Sequence, residues 1–509
     1  MIHGTKPGCR RLRLVVNIHG RRMVASWLTL TTFMILLTCT SCKSAPALPD
    51  DEVVGRAPES KIELVDDAMA YRVLWQEDSI RVVFRLVSPP PNTRLFLPKD
   101  AQVTLQDARD EAGPIFTTID RSANHIDVNT TDSEWVELEY VVKLEARETR
   151  FAPSFHNNIL VLLGPTFLVL PARQLLSKVG AVPIEVHLPT DWKVLTTWRE
   201  SGRKPSATHP GFDVIGLRAE EGMVLSDAFF VAGNLKVENS GPHRIAFSEG
   251  RNLDPRVPEI VEEAIELMTQ KLGSQGTANV FIQDGSADPS DLDGLGRRNG
   301  FVVKLPDSLN AQSKLLIFHE AIHLWNGHWL VPRDQEEQEL RWFVEGVTHY
   351  LALKLGCESR QLSEEFAWTE VAQNLGAYEQ NPVRTVNPVT ELDQLRFPYD
   401  HGFVLALYAD LTLKPDVEIF DWLNYLAKAS APPARYSSTD VRVALEQISK
   451  NSNLIWQFAE SRVPLENVLR EAGLHLLPPT SSRPPKLSKL AGVPKNAHQL
   501  FSACAAYEN

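Results

Sequence analysis

Phe318 to Trp325 reads Phe-His-Glu-Ala-Ile-His-Leu-Trp. Each helical residue turns the chain by about 100°, so positions four apart return to nearly one face. On a helix, His319 and His323 therefore present their ring nitrogens to a single point, with Glu320 one position round. Leu315, Leu316, Ile317, Phe318, Ile322 and Leu324 make the same stretch apolar, which predicts a buried helix. Zinc suits imidazole ligands and accepts tetrahedral geometry. Glu320 is then placed to act as a general base on a water at the ion without ligating it. The bland alternative is a pair of core histidines on an amphipathic helix.

A third ligand is needed. Trp342-Phe343-Val344-Glu345-Gly346-Val347-Thr348 sets a carboxylate inside an apolar helical stretch. Burying it without a cation is costly, and a zinc ion resolves that cost. Twenty-one residues separate His323 from Glu345, enough to leave one helix, turn at Pro332 and return antiparallel. Glu336, Glu337 and Glu339 read as a solvated face instead. The spacing thus predicts one zinc ion held by His319, His323 and Glu345.

The rest of the chain supplies the setting. Its 509 residues imply two or three domains. Residues 61–245 read as a β-rich, β-sandwich-like domain, with strand candidates at 81–87, 135–142 and 184–188, the last bounded by Pro183 and Pro189. From 246 to 475 the pattern is α+β and mostly helical. An amphipathic helix at 259–272 and strands at 279–283 and 301–305 precede helices near 311–327, 336–356, 360–376, 400–413, 418–429, 439–449 and 464–472. Residues 476–509 form a proline-rich tail, either an ordered wrap or a loose end. A net charge of −12 argues against nucleic acid as a partner.

The first 42 residues read as an address. Arg10, Arg11, Arg13, Arg21 and Arg22 precede an apolar run from Trp27 to Leu37, an export signal too short for a membrane span of about 20 residues. Cys42, after Thr40 and Ser41, stands where a bacterial lipoprotein is acylated, with Cys39 as the alternative. Met23 is a second candidate start. The expectation is a protein exported to the bacterial cell envelope and tied to the membrane through lipid on Cys42, with residues 43–60 as a linker. Of the five cysteines, Cys357 and Cys504 are read as two free or buried thiols rather than a bridge.

His319-Glu320-x-x-His323 followed by Trp342-Phe343-Val344-Glu345-Gly346 resembles the gluzincin metallopeptidases, whose catalytic fold is thermolysin-like. Within them, His323-Leu324-Trp325-Asn326, Glu345-Gly346-Val347-Thr348 and Tyr399-Asp400-His401-Gly402 resemble the glycyl aminopeptidase family. The resemblance spans most of residues 61–475. It implies a zinc peptidase acting on a peptide or protein, with Glu320 and Tyr399 catalytic. Tyr399 would donate a hydrogen bond to the oxyanion. Two departures stand out. His401 replaces a lysine of the family pattern. Gly296 and Arg297 stand where the family carries a glutamate, which holds the substrate's amino terminus, and a histidine. Arg297 and Arg298 are instead candidates for binding an acidic substrate end. His328 and His349 lie near the site in sequence, with surface or core placement the simpler reading. The competing function is a zinc-containing scaffold of the envelope.

Replacing Cys42 by Ser is expected to move the protein from the membrane to the soluble fraction of the expressing bacterium. Retention at the membrane, or release by Cys39→Ser instead, would reassign the acylated residue.

Overall fold

Ser79–Val87 buries Ile80, Val82, Phe84 and Leu86 on one side and leaves the alternate residues more open, the period of a half-buried strand. It pairs antiparallel with Trp135–Lys143 and with Met69–Gln76. These three belong to an eight-stranded sheet. The proline-bounded strand, Val182–Pro189, also lies inside this sheet, parallel to Met69–Gln76 and antiparallel to Phe212–Ala219. Its prolines sit at the two ends of the strand, where a missing donor disturbs the ladder least. Two four-stranded sheets complete the β-rich part. Tyr140 joins the layers, donating from its hydroxyl to the Phe167 carbonyl and accepting from the Val169 amide.

This is a computed structural model; it describes residues 68–99, 101–130, 133–146, 152–273, 276–286, 288–380, 391–428, 434–450, 452–459, 474–477, 486–489 and 500–504. The export signal, Cys39, Cys42 and the linker lie outside these residues, as does the helix expected at 464–472. No helix among the described residues is long and apolar enough to cross a membrane.

A five-stranded mixed sheet opens the catalytic part. Its order is Leu235–Ser240, His243–Ser248, Asn279–Asp284, Gly300–Leu305 and, at the edge, Asp293–Arg297. The first two strands already belong to it, so the change of architecture comes before residue 245. The boundary moves because a hairpin looks the same in sequence whichever sheet it joins. Helix Val257–Leu272 buries Val257, Ile260, Val261, Ala264, Ile265 and Met268. Helix Ala311–His323, which carries both histidines, packs against it and on the last two strands.

From Ser60 onward the chain is one compact unit. Ile159, Val161, Leu195, Phe229 and Val231 of the β-rich part share a buried cluster with Ala246, Phe281 and Val302 of the mixed sheet.

Parts of the tail are among the described residues. Leu474–Leu477 pairs with Lys486–Lys489, and Leu500 and Phe501 are buried. The Leu500 carbonyl accepts from Lys354 Nζ at 2.6 Å. Cys504 is bonded to Cys357, closing a separation of 147 residues. The reading of two free thiols is therefore corrected. Nothing in a sequence brings together residues so far apart.

Opening this bridge by Cys504→Ser is expected to lower stability by about 2–5 kcal/mol, because a long loop is released in the unfolded chain. Urea unfolding checks it. An unchanged midpoint would mean the bridge constrains nothing.

Candidate active site

The histidine helix starts cleanly. Asn310 caps it, its side chain accepting from the Ser313 amide at 2.8 Å. The helix then delivers His319, Glu320 and His323 to its buried end, all less than one-tenth exposed. His319 Nε2 and His323 Nε2 are 3.0 Å apart. Glu345 Oε2 lies 3.8 Å from the first and 3.4 Å from the second. Tetrahedral zinc with bonds of about 2.0–2.1 Å sets its donors about 3.3 Å apart. The three atoms thus form the face of such a tetrahedron. Among the described residues this is the one group of His, Cys, Asp and Glu so arranged.

Protonation shows why a cation belongs there. Burial pushes His319 down to about 3. Burial opposes charge on His323 too, but Glu345 outweighs it and holds that ring up at about 9. Burial would raise the Glu345 carboxyl, yet the two imidazoles keep it well below the usual carboxylate range. Two Nε2 atoms turned toward each other, with a carboxylate beside them, suit a divalent ion better than one shared proton.

The ring of His323 is aimed by its neighbour. Its Nδ1 lies 2.9 Å from the Asn326 carbonyl. A carbonyl only accepts, so Nδ1 carries the proton and Nε2 is the ligand atom. The Asn326 side chain donates to the Phe343 carbonyl at 3.0 Å and the Thr348 hydroxyl at 3.0 Å. Both partners flank Glu345. Trp325 beside it is fully buried and donates to the Gly273 carbonyl at 3.0 Å.

Glu345 is not on an ordinary helix. Trp342–Val347 is a π-helix, continuing as α-helix through Thr348–Glu358. The widened turn shifts carbonyls out of the usual ladder, and the Asn326 amide takes up one of them. The segment also packs tightly on helix Glu391–Leu411. A Cβ on Gly346 would lie 2.5 Å from Gly402 Cα and from the Tyr399 carbonyl. Only glycine permits that approach, which brings the Tyr399 ring to 5.9 Å from the ring of His319, nearly parallel. Pro398 lies within the same helix.

The edge strand Asp293–Arg297 meets the other side of the histidine helix. Gly294 and Gly296 face it, both buried. A Cβ on Gly294 would overlap the Glu320 carboxylate, and one on Gly296 would lie 2.5 Å from His323 Cβ. Position 296 has no room for a side chain here. Its glycine lets strand and helix touch. Arg297 donates to its own neighbour's carbonyl, Gly296 O, at 3.0 Å. Arg298 is paired with Glu221 of the β-rich part. Both arginines line a cleft of about 1050 Å³ that also reaches Glu345.

The extra histidines take two different places. His328 lines the cleft, 2.8 Å from Asp227. His349 stands edge-on to His319, its ring 5.5 Å away, and bonds Glu370 at 3.0 Å. Glu370 is buried and also accepts from Gln312 and Asn374. His401 is buried, stacked on Tyr378. Sequence reasoning passed over Asn326 and the His349–Glu370 pair. Asn326 and Thr348 both lie in the matching motifs, which was the available signal; Glu370 had none.

Residues 313–397 match the M61 glycyl aminopeptidase family. The catalytic segment is that of a zinc metallopeptidase. Tyr399 lies just past its end. No curated protein matches the sequence. Among solved structures, an aminopeptidase N family protein from Idiomarina loihiensis is similar at a TM-score of 0.62 and 17% identity, covering 82% of each chain. An M1 zinc metallopeptidase from Deinococcus radiodurans is similar at 0.55 and 14%, covering 78% of this chain and 94% of that one. A mutant of the latter bound to a Tyr-Ser-Ala substrate is similar at 0.56 and 14%, with the same coverage. These likenesses match the fold: a sheet-rich N-terminal part followed by a helical one.

Glu345→Ala is expected to abolish zinc retention in elemental analysis of the purified protein. It should also remove the stabilisation on adding zinc, about 2.7 kcal/mol at a hundredfold excess over Kd in the wild type, read as a rise in melting temperature. Full zinc content in that variant would remove Glu345 from the ligand set.

Proposed function

We propose that this protein is an exported peptidase that holds one zinc ion through His319, His323 and Glu345 and uses Glu320 as its general base. The carrying observation is the three-donor triangle, with the Glu320 carboxylate of the same helix packed against Gly294 of the edge strand. A thermolysin-like arrangement of the catalytic part belongs to this reading, supported by the mixed sheet under the histidine helix.

The zinc ion supplies Lewis acidity, lowering the pKa of a water and polarising the scissile carbonyl. The chain's own residues do the rest. Asp293–Arg297 is the last strand of its sheet, so its outer edge offers amides and carbonyls to a peptide lying extended beside it. Glu320, packed against Gly294 of that strand, takes the proton from the attacking water. It then passes it to the leaving amine. Tyr399, beside His319, donates its phenol hydrogen to the oxygen that gains negative charge. His349 and Glu370 brace the His319 ring from behind. A scaffold role has no use for Glu320, and the family match does not favour it.

The membrane anchor on Cys42 and location in the cell envelope are part of the proposal. Their support is the N-terminal sequence together with the Cys357–Cys504 bond, since such bridges persist in oxidising compartments.

Glu320→Gln is expected to keep its zinc and lose at least about 10²–10⁴-fold in kcat on a peptide the wild type cleaves. Tyr399→Phe should lose about 10²–10³-fold. Unchanged turnover in the Glu320 variant would sink the mechanism.

A further inference from the structure

The cleft leading to Glu345 is lined by five arginines: Arg173, Arg297, Arg298, Arg341 and Arg435. Three have carboxylate partners. Arg173 lies 2.8 Å from Asp334, Arg435 pairs with the same carboxylate, and Arg298 pairs with Glu221. The acidic residues of the cleft are committed in turn. Asp227 is bonded by His328, Glu337 lies 3.7 Å from Arg173, and Glu345 faces the two zinc-site histidines. Arg341 differs. It is half-buried in the cleft wall, and its side chain makes no hydrogen bond or ion pair with any described residue.

Its position is specific. Arg341 directly precedes the π-helix and stands one turn before Glu345. On the wider π turn residues four apart still lie near one another on the same side of the helix. An extended peptide advances about 3.3–3.6 Å per residue. A group held by Arg341 therefore belongs one or two residues from the bond being cut. A guanidinium presents a planar fork that matches a carboxylate through two parallel hydrogen bonds. In a partly dry wall that pairing is stronger than in water.

We propose that Arg341 is a specificity-determining residue that receives a carboxylate of the peptide substrate, from an acidic side chain near the scissile bond or from a free C-terminus. This rests on the peptidase reading above. It replaces Arg298, whose charge is already met by Glu221.

The test uses the zinc-loaded protein and paired peptides. One set exchanges Glu for Gln at each position flanking the cut; the other exchanges a free C-terminus for an amide. The wild type is expected to prefer the carboxylate member of one set by at least about tenfold in kcat/KM. The set that shows the contrast identifies the source of the carboxylate. Arg341→Gln should bring that ratio close to one, Arg341→Lys should restore part of it, and Arg341→Glu should turn the preference toward Lys-containing peptides. Zinc content of each variant checks that the site is intact. A reversed preference is not produced by mere structural damage. Hydrolysis with no contrast in the wild type, or contrast surviving in Arg341→Gln, overturns this proposal and leaves the peptidase reading standing. No hydrolysis of any peptide by the wild type overturns both.

Discussion

Asn326 joins the two halves of the candidate metal site. Its carbonyl fixes the proton on His323 Nδ1, and its amide grips the Phe343 carbonyl and the Thr348 hydroxyl on either side of Glu345. The ligands come from elements 21 residues apart in sequence, so something must set their distance to a few tenths of an ångström. A side chain bonded at both ends does this in a way that packing alone does not. Its place in a fully buried turn, beside Trp325, keeps water from competing for those bonds.

Around that link, close approach replaces bulk. Gly346 meets Gly402 backbone to backbone, and Gly294 and Gly296 let the edge strand lie directly on the histidine helix. Each contact brings a functional group nearer than side chains would allow: Tyr399 to His319 in one case, the strand's backbone to Glu320 in the other. The π-turn at Glu345 works in the same direction. It gives up regular helix geometry to re-aim a carboxylate and leaves a carbonyl for Asn326 to satisfy.

The β-rich part is more than a neighbour. It contributes Glu221 and Asp227 to the cleft, where they bind Arg298 and His328, and it shares a buried cluster with the mixed sheet. Which arginines stay available to a ligand is therefore decided by the β-rich part as much as by the catalytic one. At the far end, the Cys357–Cys504 bond ties the last described residues to the helix that continues from Glu345.

The sequence by itself determined the local chemistry. His319 and His323 were legible because helical periodicity needs only four residues, and Glu345 because a carboxylate in an apolar run asks for a cation. The alternating strands and the amphipathic helix at Val257–Leu272 were legible for the same local reason. Tertiary structure decided everything that depends on residues meeting across the chain. It joined two cysteines 147 residues apart and packed strands of the β-rich part into one buried cluster with the mixed sheet. It also set Gly296 against His323 and paired Arg298 with Glu221. Such pairings are set by three-dimensional packing, and the order of residues along a chain carries no direct record of which distant groups that packing brings face to face.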